Sequence, residues 1–287
     1  KTCWNTYPGK LRKYCYFWPM KDKVVIITGG TSGIGSALAF EFGMHGSKIV
    51  ITRRNGEVLQ STVDELNAKK IDALGVIADV TRADDNKRMA EEAIKRFGRI
   101  DILINNAGIS MRAVFEEVDP QVILKVMEIN FNGVVYATRY CISEIIRNRG
   151  SIIGISSIAG FRGLPARTGY SASKFALNGF LESLRTELLN SGVHVLTACP
   201  GFTASNIRKR SLTLDGSSQG ESRRGEGQMM SAEECAAHIY RATVKRKRTL
   251  ILTMQGKLAV FLNKWWPSLA DRMVYNVMRK EANTPIR

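Results

Sequence analysis

The sequence is poor in metal ligands and in paired thiols. His45, His194 and His238 are its only imidazoles, and they share no ligand-like spacing. Cys3, Cys15, Cys141, Cys199 and Cys235 are odd in number and scattered, with no C-x-x-C pair. A metal centre or a disulfide frame needs closer clustering, so neither is expected, and the cysteines read as reduced thiols of an intracellular protein. Long apolar runs are missing too. No stretch reaches the roughly 18 residues of a membrane-spanning helix, so none is expected. Acidic residues are scarce, with 26 Asp and Glu against 42 Lys and Arg, a net charge of +16.

That charge is unevenly placed. Residues 1–23 carry net +5 and residues 206–287 net +9, while 24–205 carry only +2. A nearly neutral body with basic, aromatic-bearing ends points to peripheral contact with an anionic membrane surface, and nucleic acid is not expected. The location expected is cytoplasmic, or peripheral on the cytoplasmic face of a membrane. The 287 residues, 44% hydrophobic, suit one larger domain with appendages. The division expected is a basic extension over 1–23, a domain over 24–255 and a basic amphipathic extension over 256–287. Met20-Lys21-Asp22-Lys23 resembles a natural start. Residues 1–19 are then non-native, or else an upstream anchor is missing; both readings stay open.

Between the ends, short apolar runs alternate with helical periodicity. Val24-Val25-Ile26-Ile27, 48–52, 73–78, 101–104, 151–155, 193–198 and 249–252 read as strands. Unbroken β-branched runs suit strands buried on both faces of a parallel sheet. Helical patterns occupy 37–42, 56–70, 84–97, a long stretch from Pro120 to about 147, 170 to about 190, and 232–244 behind the capping box Ser231-Ala232-Glu233-Glu234. This alternation gives a doubly wound α/β fold. Residues 202–230 break it with polar, glycine-rich turns and read as a lid or a disordered insertion at the ligand edge. From Lys257 onward, Leu258, Phe261, Leu262, Trp265, Trp266, Leu269, Met273 and Val277 are interspersed with Lys264, Arg272, Arg279 and Lys280. Such a segment either packs on the body or a second copy, or lies in a membrane interface.

The first strand flows into Thr28-Gly29-Gly30-Thr31-Ser32-Gly33-Ile34-Gly35 and then a helix. Strand, glycine turn and helix N-terminus together make a phosphate site, because backbone N–H groups and the helix dipole face the anion. The second strand ends in Arg53-Arg54, where NAD-selective sites commonly place an acid. Two guanidiniums suit a 2′-phosphate; the alternative is a solvated pair. Asp79, at the end of the third strand, suits a contact near adenine, or a simple cap. Asn105-Asn106-Ala107-Gly108 makes a turn over a cofactor at the sheet's carboxyl edge. Asn130 is a poor residue for a helix interior, and reads as an amide facing the cleft or as a solvent-facing residue. Ser157, Tyr170 and Lys174 follow. Tyr170 and Lys174 are one turn apart on a helix, where an ammonium favours a phenolate and yields an acid/base usable near neutral pH. Phe161, Arg162, Leu164 and Arg167 in the intervening loop are expected to line a substrate entrance.

Taken together, Thr28-Gly29-x-x-x-Gly33-x-Gly35, Asp79, Asn105-Asn106-Ala107-Gly108, Asn130, Ser157, Tyr170-x-x-x-Lys174 and Pro200-Gly201 resemble the short-chain dehydrogenase/reductase family, over roughly 24–205. Within it the chain is similar to the group containing 11β-hydroxysteroid dehydrogenase, the dehydrogenase/reductase 7 proteins and 3-ketodihydrosphingosine reductase. The resemblance implies a Rossmann-like sheet of about seven parallel strands. It implies NADP(H) held by Gly29, Thr31, Ser32, Gly33, Ile34, Gly35, Arg53, Arg54, Asp79, Val80, Asn106, Ala107, Gly108, Tyr170, Lys174, Pro200, Gly201 and Thr203, with no metal. It further implies that Tyr170 exchanges a proton with the substrate oxygen and that Ser157 hydrogen-bonds that oxygen. Lys174 would lower the tyrosine pKa and hold ribose hydroxyls, and Asn130 would position a water linking Lys174 to solvent. A homodimer or homotetramer is implied by the family alone.

The function expected is NADPH-dependent reduction of a carbonyl on a lipophilic substrate, such as 3-ketosphinganine or a steroid-like ketone, to a secondary alcohol. The alternatives are a 3-oxoacyl-carrier-protein reductase and a catalytically idle NADPH-binding membrane scaffold.

Overall fold

A computed structural model describes residues 20–203, 207–220, 229–281 and 284–286. Seven strands form one parallel sheet: β1 (Val24–Ile27), β2 (Lys48–Arg53), β3 (Ala73–Ile77), β4 (Ile102–Asn105), β5 (Ser151–Ile155), β6 (His194–Cys199) and β7 (Thr249–Ile251). Their order is β3-β2-β1-β4-β5-β6-β7. The chain therefore changes direction across the sheet between β1 and β4, and ligands of open α/β sheets bind at the carboxyl ends beside such a switch.

Strand alternation builds two cores. Val25 and Ile27 point to one face, where they meet α1 (Gly33–Met44), α2 (Gly56–Ala68) and α7 (Ala232–Val244). Val24 and Ile26 point to the other and meet α3 (Ala83–Phe97), α5 (Gly133–Arg147) and α6 (Thr168–Glu187). All four β1 side chains are fully buried, which explains the unbroken apolar run. Burying each contributes about 1.5–3 kcal/mol. At the opposite sheet edge from the ligand end, the fully buried Asp101 ties β1 to β4. It accepts from Val24 N–H at 3.0 Å, from Lys23 Nζ at 3.0 Å and from Arg99 at 2.8 and 2.6 Å.

One sequence expectation is corrected. The long helix from Pro120 is interrupted: α4 (Pro120–Met127) passes through a π-helical turn, Glu128–Asn132, into α5. The turn coincides with Asn130, whose side chain makes bonds that a regular helix face would not reach. The C-terminal segment forms two helices, α8 (Met254–Trp265) and α9 (Pro267–Arg279), because Pro267 cannot continue the first. One side of this pair packs on the body through Gly256, Ala270 and Met278. The other exposes Leu258, Phe261, Trp265, Trp266, Leu269, Met273 and Val277. No helix among the described residues is long and apolar enough to cross a membrane. In the irregular stretch after β6, residues 207–220 are folded: Leu212 bridges to Met111 and to Ser218. Residues 204–206 and 221–228, and with them part of the expected lid or insertion, lie outside the described residues, as do 1–19.

The imidazoles have structural partners. His45 stacks on Tyr240 at 4.0 Å. His194 is buried, with Nδ1 at 3.1 Å from Ser151 Oγ and Nε2 at 2.8 Å from the Lys247 carbonyl. Burial pushes the His194 pKa down to about 4. The unfolded chain takes up this proton near its ordinary value of 6.5, the folded chain only near 4. Its contribution to stability is therefore full above the unfolded pKa and is lost as pH falls through that window. Urea denaturation of the wild type should show roughly 3 kcal/mol more loss between the two pKa values than His194→Gln does. Parallel pH profiles for the two proteins would rule this out.

Candidate active site

The glycine turn after β1 is held from below by a latch. Thr28 Oγ1 accepts from the backbone N–H groups of Asn106 at 3.0 Å and Ala107 at 3.1 Å. Asn106 Nδ2 returns to the carbonyls of Thr28 at 2.9 Å and Gly29 at 3.1 Å. This fixes the turns after β1 and β4 against one another at the switch point. Gly29, at φ +66°, is left-handed, and a Cβ there would lie 3.1 Å from Ala107 Cα. Gly35 sits beneath the turn, where a Cβ would fall 2.4 Å from both Asn106 Nδ2 and the Gly29 carbonyl. Gly35 therefore permits the close packing and does not itself line the cleft, a correction to its expected role as a contact.

One cleft of about 440 Å³ runs from this turn across the sheet edge. Of the expected site residues, Gly29, Thr31, Ser32, Gly33, Ile34, Arg53, Arg54, Asp79, Val80, Asn106, Ala107, Gly108, Ser157, Tyr170, Lys174, Pro200, Gly201 and Thr203 line it. At the β2 end, Arg53 donates to Thr31 Oγ1. Arg54 faces Asp79 at 3.6 Å, and Asp79 also caps Thr81 through bonds of 3.0 and 2.8 Å. Asp79 is thus a strand-end cap that also faces the cleft. Burial, then the charges of Arg210 and Arg54, push the Arg53 pKa down.

The other end holds Ser157, Tyr170 and Lys174. Ser157 leaves β5 and caps the short turn Ile158–Gly160 by accepting from Ala159 N–H at 3.1 Å. Tyr170 and Lys174 stand on the first turns of α6. Lys174 is buried and donates to the Ile155 carbonyl at 2.8 Å; its Nζ lies 5.7 Å from the Tyr170 ring centre. Burial pushes the Tyr170 pKa up, opposed by a hydrogen bond with Ser157 and by the Arg167 charge. Burial pulls the Lys174 pKa down to about 8. Burial, opposed by Ser157 and Arg167, sets the direction at Tyr170, against the expectation that Lys174 lowers it. Desolvation of the phenol dominates, and the ammonium is directed at a backbone carbonyl. The thiols of Cys141, Cys199 and Cys235 are pushed up to about 12 by burial, so none is a nucleophile near neutral pH.

Asn130 requires the clearest correction. Its carboxamide does not face the cleft. It is 1% exposed, accepts from Ile109 N–H at 2.8 Å, and donates to the Ile109 carbonyl and to Ser173 Oγ, each at 2.9 Å. Both amide hydrogens are occupied, so the side chain cannot donate to a water. Its role is to join the turn after β4 to α6. Of the loop residues expected at the entrance, Leu164 and Arg167 line the cleft. Phe161 and Arg162 do not: Arg162 pairs with Asp271 and donates to Asn263 at 2.8 Å, and Asn263 returns to the Phe161 carbonyl at 2.9 Å. Sequence reasoning missed Arg208 and Arg210, which line the cleft from the loop after β6. The basic triplet Arg208-Lys209-Arg210 was the available signal.

The cleft fits a nicotinamide dinucleotide. The left-handed Gly29 and the N-terminus of α1 offer N–H groups to a pyrophosphate, and the turn leaves no room for intervening side chains. Comparison with known proteins agrees. Residues 23–214 match the family model for short chain dehydrogenase. The chain is 35% identical over 271 residues to dehydrogenase/reductase SDR family member 7B of Rattus norvegicus, covering 91% of this chain and 83% of the relative. It is 35% identical over 262 residues to a dehydrogenase/reductase SDR family protein 7-like of Dictyostelium discoideum, covering 89% and 81%. A short chain dehydrogenase/reductase of Burkholderia phymatum, solved in complex with NAD, shares the fold at TM-score 0.79 and 24% identity, over 88% of this chain and 96% of that one. The fold, the cleft and these relatives agree: the chain belongs to the short-chain dehydrogenase/reductase family, with the dehydrogenase/reductase 7 group among its relatives.

Proposed function

We propose that this oxidoreductase uses NADPH to reduce a carbonyl on a lipophilic substrate to a secondary alcohol. The observation that carries this is the two-ended cleft, with Arg53 and Arg54 at one end and Ser157, Tyr170 and Lys174 at the other. Guanidiniums at the end of β2 suit a 2′-phosphate, where an acid would suit free ribose hydroxyls. Bound along the cleft, the dinucleotide would supply the hydride. Tyr170 gives its phenolic proton to the substrate oxygen. Burial keeps that proton in place at neutral pH, as a general acid for reduction requires. Ser157 donates to the same oxygen as its negative charge develops. Lys174, held near a pKa of about 8, is a ready source of the proton that Tyr170 loses. Ile109, Ile129, Ile155, Leu164, Phe202 and Ile207 give the cleft apolar walls. These favour a long-chain 3-keto lipid or a steroid-like ketone over a small polar substrate.

The exposed face of α8 and α9 supports a peripheral membrane site for this activity. Trp265, Trp266, Leu269, Met273 and Val277 are exposed beside Lys264, Arg272 and Arg279. Apolar side chains among cations suit an anionic bilayer surface.

NADPH consumption should be at least about tenfold more efficient than NADH consumption, since the bound 2′-phosphate gains charge-assisted hydrogen bonds. The assay uses 3-ketosphinganine, steroid ketones and acetoacetyl thioesters. Turnover of the thioesters alone would favour the carrier-protein reductase, and equal efficiency with NADH would end the NADPH assignment. Tyr170→Phe should lower kcat about a thousandfold while the Kd for NADPH stays within about twofold. A variant with near-wild-type rates would remove the mechanism. Cosedimentation with phosphatidylserine vesicles should fall with added salt, and should fall further in Trp265→Ser combined with Trp266→Ser. Unchanged sedimentation in the double variant would exclude this face.

A further inference from the structure

The stretch after β6 has an irregular sequence but a fixed path over residues 207–220. Leu212 N–H donates to the Ser110 carbonyl at 2.9 Å, and Arg112 N–H to the Leu212 carbonyl at 2.8 Å. Asp119 N–H reaches the Leu214 carbonyl at 2.9 Å. On the other side, Arg208 Nη1 donates to the Thr203 carbonyl at 3.1 Å, fixing the loop to the turn that follows Pro200-Gly201. Ser211 and Leu212 are buried. Between these two anchors Arg210 is exposed and lines the cleft together with Arg53 and Arg54.

The resulting cluster has an unusual balance of charge. The charged neighbours acting on Arg53 are Arg210 and Arg54, both cations. The acid beside Arg54 is Asp79, at 3.6 Å, and it already receives two bonds from Thr81. Three guanidiniums at one mouth of a cleft repel one another unless an anion lies between them. Thr31 and Asn55, which line the same mouth, add polar contacts of the kind a phosphate uses. The loop that presents Arg210 also presents Ile207 and Arg208 to the cleft, and through Leu212 it packs on Met111, in the apolar cluster that Tyr170 joins.

We propose that Arg210 completes, with Arg53 and Arg54, a three-guanidinium seat for the 2′-phosphate, so that binding a phosphorylated dinucleotide also fastens the loop that borders the substrate end. This rests on the NADPH use proposed above. It assigns Arg210 as a specificity-determining residue contributed by the substrate loop, outside the β2 end. It also makes the affinity for the adenosine phosphate depend on the position of that loop.

The test uses the full chain and adenosine ligands that lack nicotinamide. Adenosine 2′,5′-bisphosphate and 5′-AMP are titrated calorimetrically into the wild type, Arg210→Gln, Arg53→Gln and Arg54→Gln. Amide exchange over residues 207–220 is read in parallel. Arg210→Gln should weaken the bisphosphate about tenfold and change 5′-AMP by less than about twofold, the signature of one lost charge-assisted contact. The bisphosphate, but not 5′-AMP, should slow exchange over 207–220 in the wild type, and Arg210→Gln should abolish that protection. Arg210→Gln binding the bisphosphate like wild type, while Arg53→Gln and Arg54→Gln lose it, would overturn the role of Arg210 and leave NADPH use standing. A wild type that binds both ligands equally would overturn both.

Discussion

The carboxamide of Asn130 holds three pieces of the site in one place. Its oxygen and nitrogen take both backbone groups of Ile109, at 2.8 and 2.9 Å, and its second hydrogen goes to Ser173 Oγ. Ser173 in turn donates to the Tyr170 carbonyl at 2.7 Å. The turn after β4, the π turn between α4 and α5, and the first turn of α6 are therefore one hydrogen-bonded unit. A buried amide leaves little tolerance here, because each unmade bond costs about 1–3 kcal/mol. The π turn is what lets a helix residue reach two neighbouring elements together. Its cost in regular bonding is local, and such turns are frequent at functional sites. Gly133, directly after it, allows α5 to approach the chain after β3, since a Cβ there would lie 2.9 Å from Val80 Cγ2. The cleft wall at Val80 and the placement of Tyr170 thus depend on the same irregularity.

From that frame the two ends of the cleft acquire opposite electrostatics. The end at β2 gathers exposed or half-buried guanidiniums, which attract an anion. At the catalytic end Lys174 is buried and Tyr170 half-buried. There desolvation acts on both members of the Tyr170–Lys174 pair: it raises the phenol and lowers the ammonium. The two pKa values move apart, which keeps the proton on tyrosine before reaction and makes transfer from the ammonium to a tyrosinate downhill. The ammonium is directed to the Ile155 carbonyl at 2.8 Å.

Much of this could be read from the residues because the information was local. Buried parallel strands are β-branched runs, a glycine turn between strand and helix is short-range geometry, and Tyr170 and Lys174 share a face by spacing alone. What could not be read depended on contacts distant in sequence. Gly35 looked like a ligand contact, but its missing Cβ makes room for Asn106, 71 residues further on. Asn130 was conspicuous as a poor helix residue, yet its partners at 109 and 173 are invisible to periodicity. Arg162 looked like a lining residue because its neighbours Leu164 and Arg167 are; its pairing with Asp271 is 109 residues away. Arg210 lies in a stretch with neither helical nor strand period, so no pattern assigns its direction.

The tail follows from the same long-range ion pairs. Glu281 sits between Arg112, at 3.6 Å, and Arg167, at 2.9 Å, with all three side chains largely buried. Arg167 lines the cleft and its charge acts on Tyr170. Arg162, in the same loop, is tied to α8 through Asn263 and to α9 through Asp271. Ala166, between these arginines, is held in a left-handed conformation at φ 58°, unfavourable for a residue with a Cβ, and its carbonyl accepts from Ala113 N–H at 3.0 Å. A loop under such strain keeps its shape only while its neighbours hold it. Two of those neighbours are the C-terminal helices, whose opposite face is the apolar one. Buried charge pairs are costly to form and contribute mainly by selecting one arrangement. Here the arrangement selected places the exposed tryptophans on the outer side of the same helices that fix the loop between β5 and α6. The exposed apolar face and the shape of the entrance are therefore both tied to one pair of helices.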